Sequence, residues 1–444
     1  MNTRRSNLAG CIPRLMLGLG IVAILLPTCS FAETPREWVD ANVESLVELY
    51  RHFHTHPELS FQEEQTGERL ALELAAAGAE VTKRVGGFGV VGLIRNGDGP
   101  TLMLRTDLDA LPVVEQTNLA YASTVKAQET DGAEVGVMHA CGHDVHITNL
   151  VGVARYLAAH KDRWQGTVML IGQPAEERGA GAAAMLEDGL FERFSKPDFA
   201  VAMHVDSSLA TGKLAYRAGY SLANVDSVDV TMHGRGGHGA YPHTTIDPIV
   251  QAAEFIVSVQ TIVSREVKPI EPAVITVGAI HGGTKHNIIG DSCHMQLTVR
   301  SYDEGVRKLL LEGIARKAKG VAVGANAPEP TIVVSEGTPS LWNDEDLAAR
   351  LDPVLRRTVG NDNVMDSEQS MGGEDFSRYG RAGVPILMIR LGAVDGARLK
   401  RYEQLGQIPP SLHSPLFYPD VEDALKTSVP AMSEAAIELL KPKG

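Results

Sequence analysis

Four separate stretches of this chain place metal-type or proton-transfer side chains directly after apolar runs or in the C-terminal loop. They are "ACGHD" (Cys141, His143), "QPAEER" (Glu176, Glu177), "AMHVD" (His204) and "SLHSP" (His413). A thiolate and an imidazole two positions apart can hold one cation, and a thiolate can bridge two; either role deprotonates the sulfur and keeps it unpaired. Adjacent carboxylates suit a division of labour. One coordinates, and its neighbour takes a proton from water whose pKa a metal has lowered to about 7. Taken singly each stretch is weak, because a lone histidine is commonly a hydrogen-bonded structural residue and Glu176-Glu177 alone reads as a solvated loop face. Cys141 beside His143 also admits a metal-free cysteine hydrolase with Cys141 as nucleophile, which would survive a chelator. A non-catalytic binding protein is expected to lack some of these side chains, and here every one of the four stretches carries them.

The elements that must position these residues are readable from periodicity. From Trp38 to about Tyr216, short apolar runs such as "TLMLRTD", "GTVMLIGQPAEE" and "PDFAVAMHVD" alternate with helical patterns. This predicts an α/β catalytic domain with a mostly parallel sheet and polar residues at strand ends, where open α/β sheets build their sites. Ile147, Leu150, Val151, Ala154, Leu157 and Ala158 recur at helical spacing, so Cys141 and His143 are expected in the turn leading into a helix. Between about Ala223 and Glu336 the order becomes βαββαβ, the split pattern of a ferredoxin-like layer. The α/β style then resumes with "VPILMIRLGA". The expected organisation is a catalytic metal-binding domain of residues 33–222 and 337–444, with residues 223–336 inserted into it.

The first 32 residues read as a signal peptide: Arg4, Arg5 and Arg14 precede an apolar run from Leu15 to Leu26, and Ser30-Phe31-Ala32 supplies a cleavage site. Export to a periplasm or the medium is the corresponding expectation. Removing that segment takes away three arginines and no acids, moving the formal charge from -14 to -17. So acidic a chain is a poor partner for nucleic acid or anionic lipid, and no membrane association is expected once the segment is gone. Of four cysteines, Cys11 and Cys29 lie in that segment. An oxidising compartment would favour a Cys141–Cys293 disulfide. Cys293, however, alternates with Met295, Leu297 and Val299 as a buried strand thiol would, and Cys141 sits among ionisable groups, so both are expected free.

Beyond these residue-level readings, the chain resembles the aminoacylase and glutamate-carboxypeptidase family of dinuclear metallopeptidases. It is most similar to the amidohydrolase branch, which includes hippurate hydrolase and the N-acyl-amino-acid and indoleacetyl-amino-acid hydrolases. The matching stretches are "HPELSFQE", "RTDLDALP", "MHACGHDVH", "QPAEE", "MHV", "GGHGAYPH", "HNIIGD", "MGGEDF" and "LHSP", in that order. The resemblance implies two divalent metal ions per subunit, manganese or zinc, with nickel and cobalt as further candidates. Cys141 would bridge them, His143 and His204 would complete the protein ligands of one, and Glu177 and His413 those of the other. It implies Glu176 as general base and Asp107 as the residue orienting active-site imidazole, although Arg105 here occupies the place of a metal-binding histidine two positions before it.

The same resemblance makes the insert a lid and dimerisation domain, and the protein a homodimer or higher homo-oligomer. His238 would reach a partner's site and stabilise the oxyanion. Asn287 and Arg300 would grip substrate, Arg300 through bidentate bonds to a carboxylate or else as a strand-end salt bridge; Gly372 and Gly373 would line the pocket. The implied reaction is hydrolysis of an N-acyl amino acid or short peptide-like amide to an acid and a free amino acid. A dipeptidase or carboxypeptidase of the same family is the alternative. Glu374 and Asp375 receive no catalytic role, His139 and His146 are expected to support the ligands, and His52, His54 and His56 are read as structural.

Overall fold

The computed structural model describes residues 33–130 and 132–442. The expected signal peptide, residues 1–32, lies outside the described residues. The expectation of export that rested on it is corrected: the described residues carry no export signal, and no helix among them is long and apolar enough to cross a membrane. No compartment is assigned in its place.

Helices α1 (Pro35–Thr55) and α2 (Glu64–Ala76) lead into strands β1 (Glu80–Val85), β2 (Gly89–Asn96) and β3 (Thr101–Asp107). Helix α3 (His143–Ala159) follows, then β4 (Gly166–Gln173), β5 (Phe199–Ala210) and β6 (Leu214–Tyr216). The inserted segment comprises β7 (Asn224–His233), α4 (Pro248–Arg265), β8 (Ala273–Gly282), β9 (Ser292–Ser301), α5 (Glu304–Gly324) and β10 (Thr331–Thr338). Helix α6 (Glu345–Val359), β11 (Val364–Asp366), β12 (Ile386–Val394) and α7 (Val421–Leu439) complete the main elements.

The large sheet has eight strands in the order β1-β2-β4-β3-β5-β12-β6-β11. Its centre, β4-β3-β5-β12, is parallel. Outside it, β1 with β2, β2 with β4, and β12 with β6 pair antiparallel, while the edge pair β6 with β11 is parallel again. The expectation of a mostly parallel sheet is therefore corrected to a mixed one. An apolar strand run looks the same whichever way its neighbour points, so pairing direction was not in the pattern.

Helix α3 is buried almost all round, packed between β3 and the outer helices α1 and α7. That burial explains its near-continuous apolar sequence, and it fixes the helix end that carries His143. Truncating a residue such as Leu150, 2% exposed, to alanine is expected to cost about 2–5 kcal/mol.

In the insert, a four-stranded antiparallel sheet ordered β8-β9-β7-β10 carries α4 and α5 on one face. Strands β7 and β9 alternate buried and half-exposed residues along their length, which is the period-2 signature of a sheet with one packed face. Cys293, Met295, Leu297 and Val299 point into that core together. Cys141 and Cys293 are both free and buried, as their local patterns indicated.

Candidate metal centre

The parallel strands β3, β4 and β5 and the loop before α3 bring their functional residues to one side of the sheet, where α/β folds place ligands. The turn from Cys141 into α3 depends on Gly142, whose φ of 79° is left-handed and whose absent Cβ would stand 2.6 Å from Val205 Cγ2. No residue with a side chain fits that turn without strain. His143 is then the first residue of α3 itself. His413 arrives from the loop between β12 and α7, where its N–H donates to Ala140 O at 2.9 Å. Its own φ is 66°, unusual for a non-glycine residue, as is the 49° of Ala175 just before the glutamate pair.

These elements gather several donor groups able to hold a cation, two of which are triads that share Cys141. Donor atoms of Cys141, His143 and His204 lie within 4.8 Å of one another, as do those of Cys141, Glu177 and His413. Cys141 Sγ stands 3.5 Å from His204 Nε2. Glu177 Oε1 is 3.8 Å from His143 Nε2 and 3.4 Å from His413 Nε2. Three further sets meet the same 4.8 Å limit: Asp107, His143 and His146; His143, Glu176 and Glu177; and Glu176, Glu374 and Asp375.

Ring orientation shows which imidazoles have a nitrogen free to coordinate. A backbone carbonyl can only accept, so the 2.8 Å contacts of His143 Nδ1 with Asp109 O and of His204 Nδ1 with Val205 O fix the proton on Nδ1. Both Nε2 lone pairs are thereby aimed at the cluster, as metal-binding imidazoles require. His146 is different. Its Nε2 accepts from the Val205 N–H at 2.9 Å and its Nδ1 donates to Asp107 Oδ1 at 2.7 Å, so neither nitrogen is left for a cation. His139 is buried with both ring nitrogens unpartnered, and burial pushes its pKa down to about 4.

A pair of divalent cations fits this donor set. His143 Nε2 and Glu177 Oε1 are buried without a hydrogen-bond partner although 3.8 Å apart, an arrangement that costs free energy unless something positive lies between them. Burial works against the charged form of His143, yet Asp107 and Asp109 raise its pKa to about 10. Burial raises Glu177 to about 7, and burial with the charges of Glu177 and Glu176 pushes the Cys141 thiol up. A cation inverts each of those trends for the carboxylate and the thiol.

Glu176 and Glu177 are presented by a carboxylate that the sequence did not single out. Asp109 accepts from Glu176 N at 3.1 Å, Glu177 N at 3.0 Å and Ser60 Oγ at 2.6 Å. Buried Glu63 supports the same turn by accepting from the Ala175 N–H at 2.8 Å. Behind Glu176 lies a second unforeseen network. Arg105 is buried, with Nη1 2.8 Å from Asp107 Oδ2, Nη2 3.0 Å from Glu374 Oε1 and 3.1 Å from Asp375 Oδ1, and Nε donating to Gln173 Oε1 at 3.1 Å. Donor oxygens of Glu176, Glu374 and Asp375 lie within 4.8 Å of one another. Burial first, then the neighbouring carboxylates Glu374 and Glu177, raise Glu176 well above the ordinary range.

The triads open into a cleft of about 740 Å³. Glu176, Arg300, Gly372 and Gly373 line it, although Arg300 also donates from Nη1 to Met371 O at 2.6 Å. Asp107 lies beneath it, fully buried between Arg105 and His146. His238 and Asn287 do not join the cleft lining. They sit exposed on a two-stranded ribbon of the insert, where Gly239 N donates to Asn287 O.

Residues 103–404 match the model of peptidase family M20/M25/M40. The chain belongs to that family. Thermostable carboxypeptidase 1 of Saccharolobus solfataricus is 36% identical over 88% of this chain and 95% of its own length. Hippurate hydrolase of Campylobacter jejuni is 38% identical over 76% of this chain and 86% of its own. Among solved structures, the Bacillus subtilis YXEP protein, a dinuclear metal binding M20 peptidase, superimposes with a TM-score of 0.73 at 30% identity, covering 90% of this chain and 99% of that one. With its two triads, this M20 protein falls in the dinuclear-metal amidohydrolase branch of the family and is a metal-dependent hydrolase.

Proposed function

We propose that the protein hydrolyses the amide bond of N-acyl amino acids, releasing a carboxylic acid and a free amino acid. The observation that carries this reading is the pair of triads sharing Cys141 with Glu176 beside them. Cys141, His143, Glu177, His204 and His413 would hold two divalent cations per subunit, which supply Lewis acidity and lower the pKa of water. A thiolate with imidazoles leans toward zinc on softness, while manganese, nickel and cobalt suit the remaining donors. Glu176 takes a proton from the attacking water on its carboxylate and passes it to the nitrogen of the leaving amine. Asp107 holds His146 and, through Arg105, the acidic wall behind Glu176.

The insert, residues 223–336 with the rest of β10, would act as a ferredoxin-like lid and dimerisation unit between the two parts of the catalytic domain, 33–222 and 337–444. In a homodimer His238 and Asn287 would serve the partner's cleft, His238 donating to the developing oxyanion and Asn287 to the substrate. Arg300, Gly372 and Gly373 would receive the substrate's carboxylate end. The carboxypeptidase reading draws on the Saccharolobus relative of that name. Metal-loaded enzyme assayed on N-acetyl, N-benzoyl and indoleacetyl amino acids beside dipeptides and longer peptides separates the two. Preference for the N-acyl amino acids is expected, and preference for peptides would replace this reading with the peptidase one. Full turnover in the presence of a chelator would instead favour Cys141 as a nucleophile.

A further inference from the structure

Arg390 of β12 stands directly beside His204 of β5 in the parallel register, so the two side chains leave the sheet on the same face. It lines the cleft that holds the triads. Its guanidinium is held at one corner only, by Nη1 donating to Asp206 Oδ2 at 3.2 Å. The other oxygen of Asp206 is filled by the Ser208 N–H at 2.8 Å and the Ser208 hydroxyl at 2.6 Å, which fixes that carboxylate and through it Arg390.

Arg105 is buried and spends its fork on Gln173, Asp107, Glu374 and Asp375, as a structural arginine does. Arg390 retains 26% side-chain exposure, and its Nε and Nη2 meet no acceptor among the described residues. An Nε/Nη2 edge is the geometry that takes a carboxylate through two parallel hydrogen bonds. Arg300 enters the cleft from the insert and Arg390 from the catalytic sheet. A substrate whose α-carboxylate lies on Arg300 therefore still meets an open guanidinium edge.

We infer that Arg390, oriented by Asp206, receives a second anionic group, so that the site prefers N-acyl amino acids bearing a carboxylate beyond the α-carboxylate. That carboxylate can belong to the acyl group or to the amino-acid side chain. The inference rests on the amidohydrolase reading above.

Two isosteric pairs test it: N-acetyl-glutamate against N-acetyl-glutamine, and N-succinyl-alanine against its terminal monoamide. Metal-loaded wild type is expected to favour the acid in one pair by about tenfold or more in kcat/KM, the pair naming the source of the carboxylate. In Arg390→Met that ratio falls to within about threefold of unity. A wild type without preference in both pairs overturns the inference, as does a ratio unchanged in Arg390→Met. Wild-type competition supplies a test that needs no variant. Glutarate should bind, by calorimetry, at least about tenfold more tightly than butyrate, and equal binding overturns the inference. Hydrolysis of none of the four substrates would overturn the amidohydrolase reading itself, whereas hydrolysis of the amides as fast as the acids removes only the role of Arg390.

Discussion

At the floor of the cleft, His143, His204 and the Glu176-Glu177 pair are each held by a hydrogen bond that fixes a ring or a backbone turn. On the ribbon of the insert, His238 and Asn287 stand exposed; His238 Nδ1 merely accepts from the Ala240 N–H two residues on, at 3.0 Å. The first region is preorganised by a single chain, with its donors locked before any ligand arrives. The second carries the residues proposed for substrate and oxyanion contacts, and they are exposed and outside the cleft lining. Where the chain invests its buried polar groups thus separates the residues proposed for cation binding and proton transfer from those proposed to act across a second surface.

The widest effect should come from the preorganised side. Glu176→Gln is expected to lower kcat by about 10²–10⁴-fold while metal content, measured by elemental analysis, stays at the wild-type level. Activity near wild type would dissolve the distinction between Glu176 and its ligand neighbour. On the exposed side, His238→Ala should cost about 10²–10³-fold in kcat, the range for one oxyanion donor. If His238 serves a partner, mixing that variant with Glu176→Gln and letting subunits exchange restores part of the activity. Two inactive variants that stay inactive on mixing would return His238 to its own chain or to the surface.

How far each region was legible follows the same divide. The βαββαβ order and the segments that carry the candidate ligands came from local patterns: alternation in "SCHMQLTVR", helical spacing after His146, and C-x-H and Glu-Glu pairs after apolar runs; which residues of those segments would be ligands came only from the family resemblance. The antiparallel flanks of the large sheet left no such trace. Nor did Asp109, Glu63 or the Arg105–Glu374–Asp375 network, because their meaning lies in partners up to 270 positions away. One signal did exist. Arg105, Asp107 and Asp109 put charges at every second position at and just past the end of a strand whose middle, Leu102 to Leu104, is apolar, and buried charge at such a place has to be paired.

Two smaller effects sharpen the picture of the wired region. His146→Ala removes the bridge between Asp107 and the Val205 N–H, and metal affinity by competition titration should fall about 10–100-fold, the usual cost of losing a group that orients ligands. Unchanged affinity would make His146 a packing residue only. His54 lies buried between Asp144 and Glu115 at 2.7 and 3.2 Å. Burial opposes its charge, but those two carboxylates raise its pKa to about 9. A raised imidazole stabilises the fold fully below pH 6.5, and that contribution, on the order of 3 kcal/mol, is lost as pH climbs through about 9. Thermal unfolding of wild type should therefore drop relative to His54→Gln between pH 6 and 9.5. Parallel curves would mean that the pair of carboxylates does not hold a proton on His54.

On the proposed reading, two cations held by triads that share Cys141 make this chain an active amidohydrolase. Titrating a divalent metal back into stripped enzyme while following hydrolysis of an N-acyl amino acid tests it directly. Activity absent at the start and reaching a plateau at about two equivalents per chain is the predicted result. Undiminished hydrolysis by the stripped enzyme in the presence of excess chelator would contradict it.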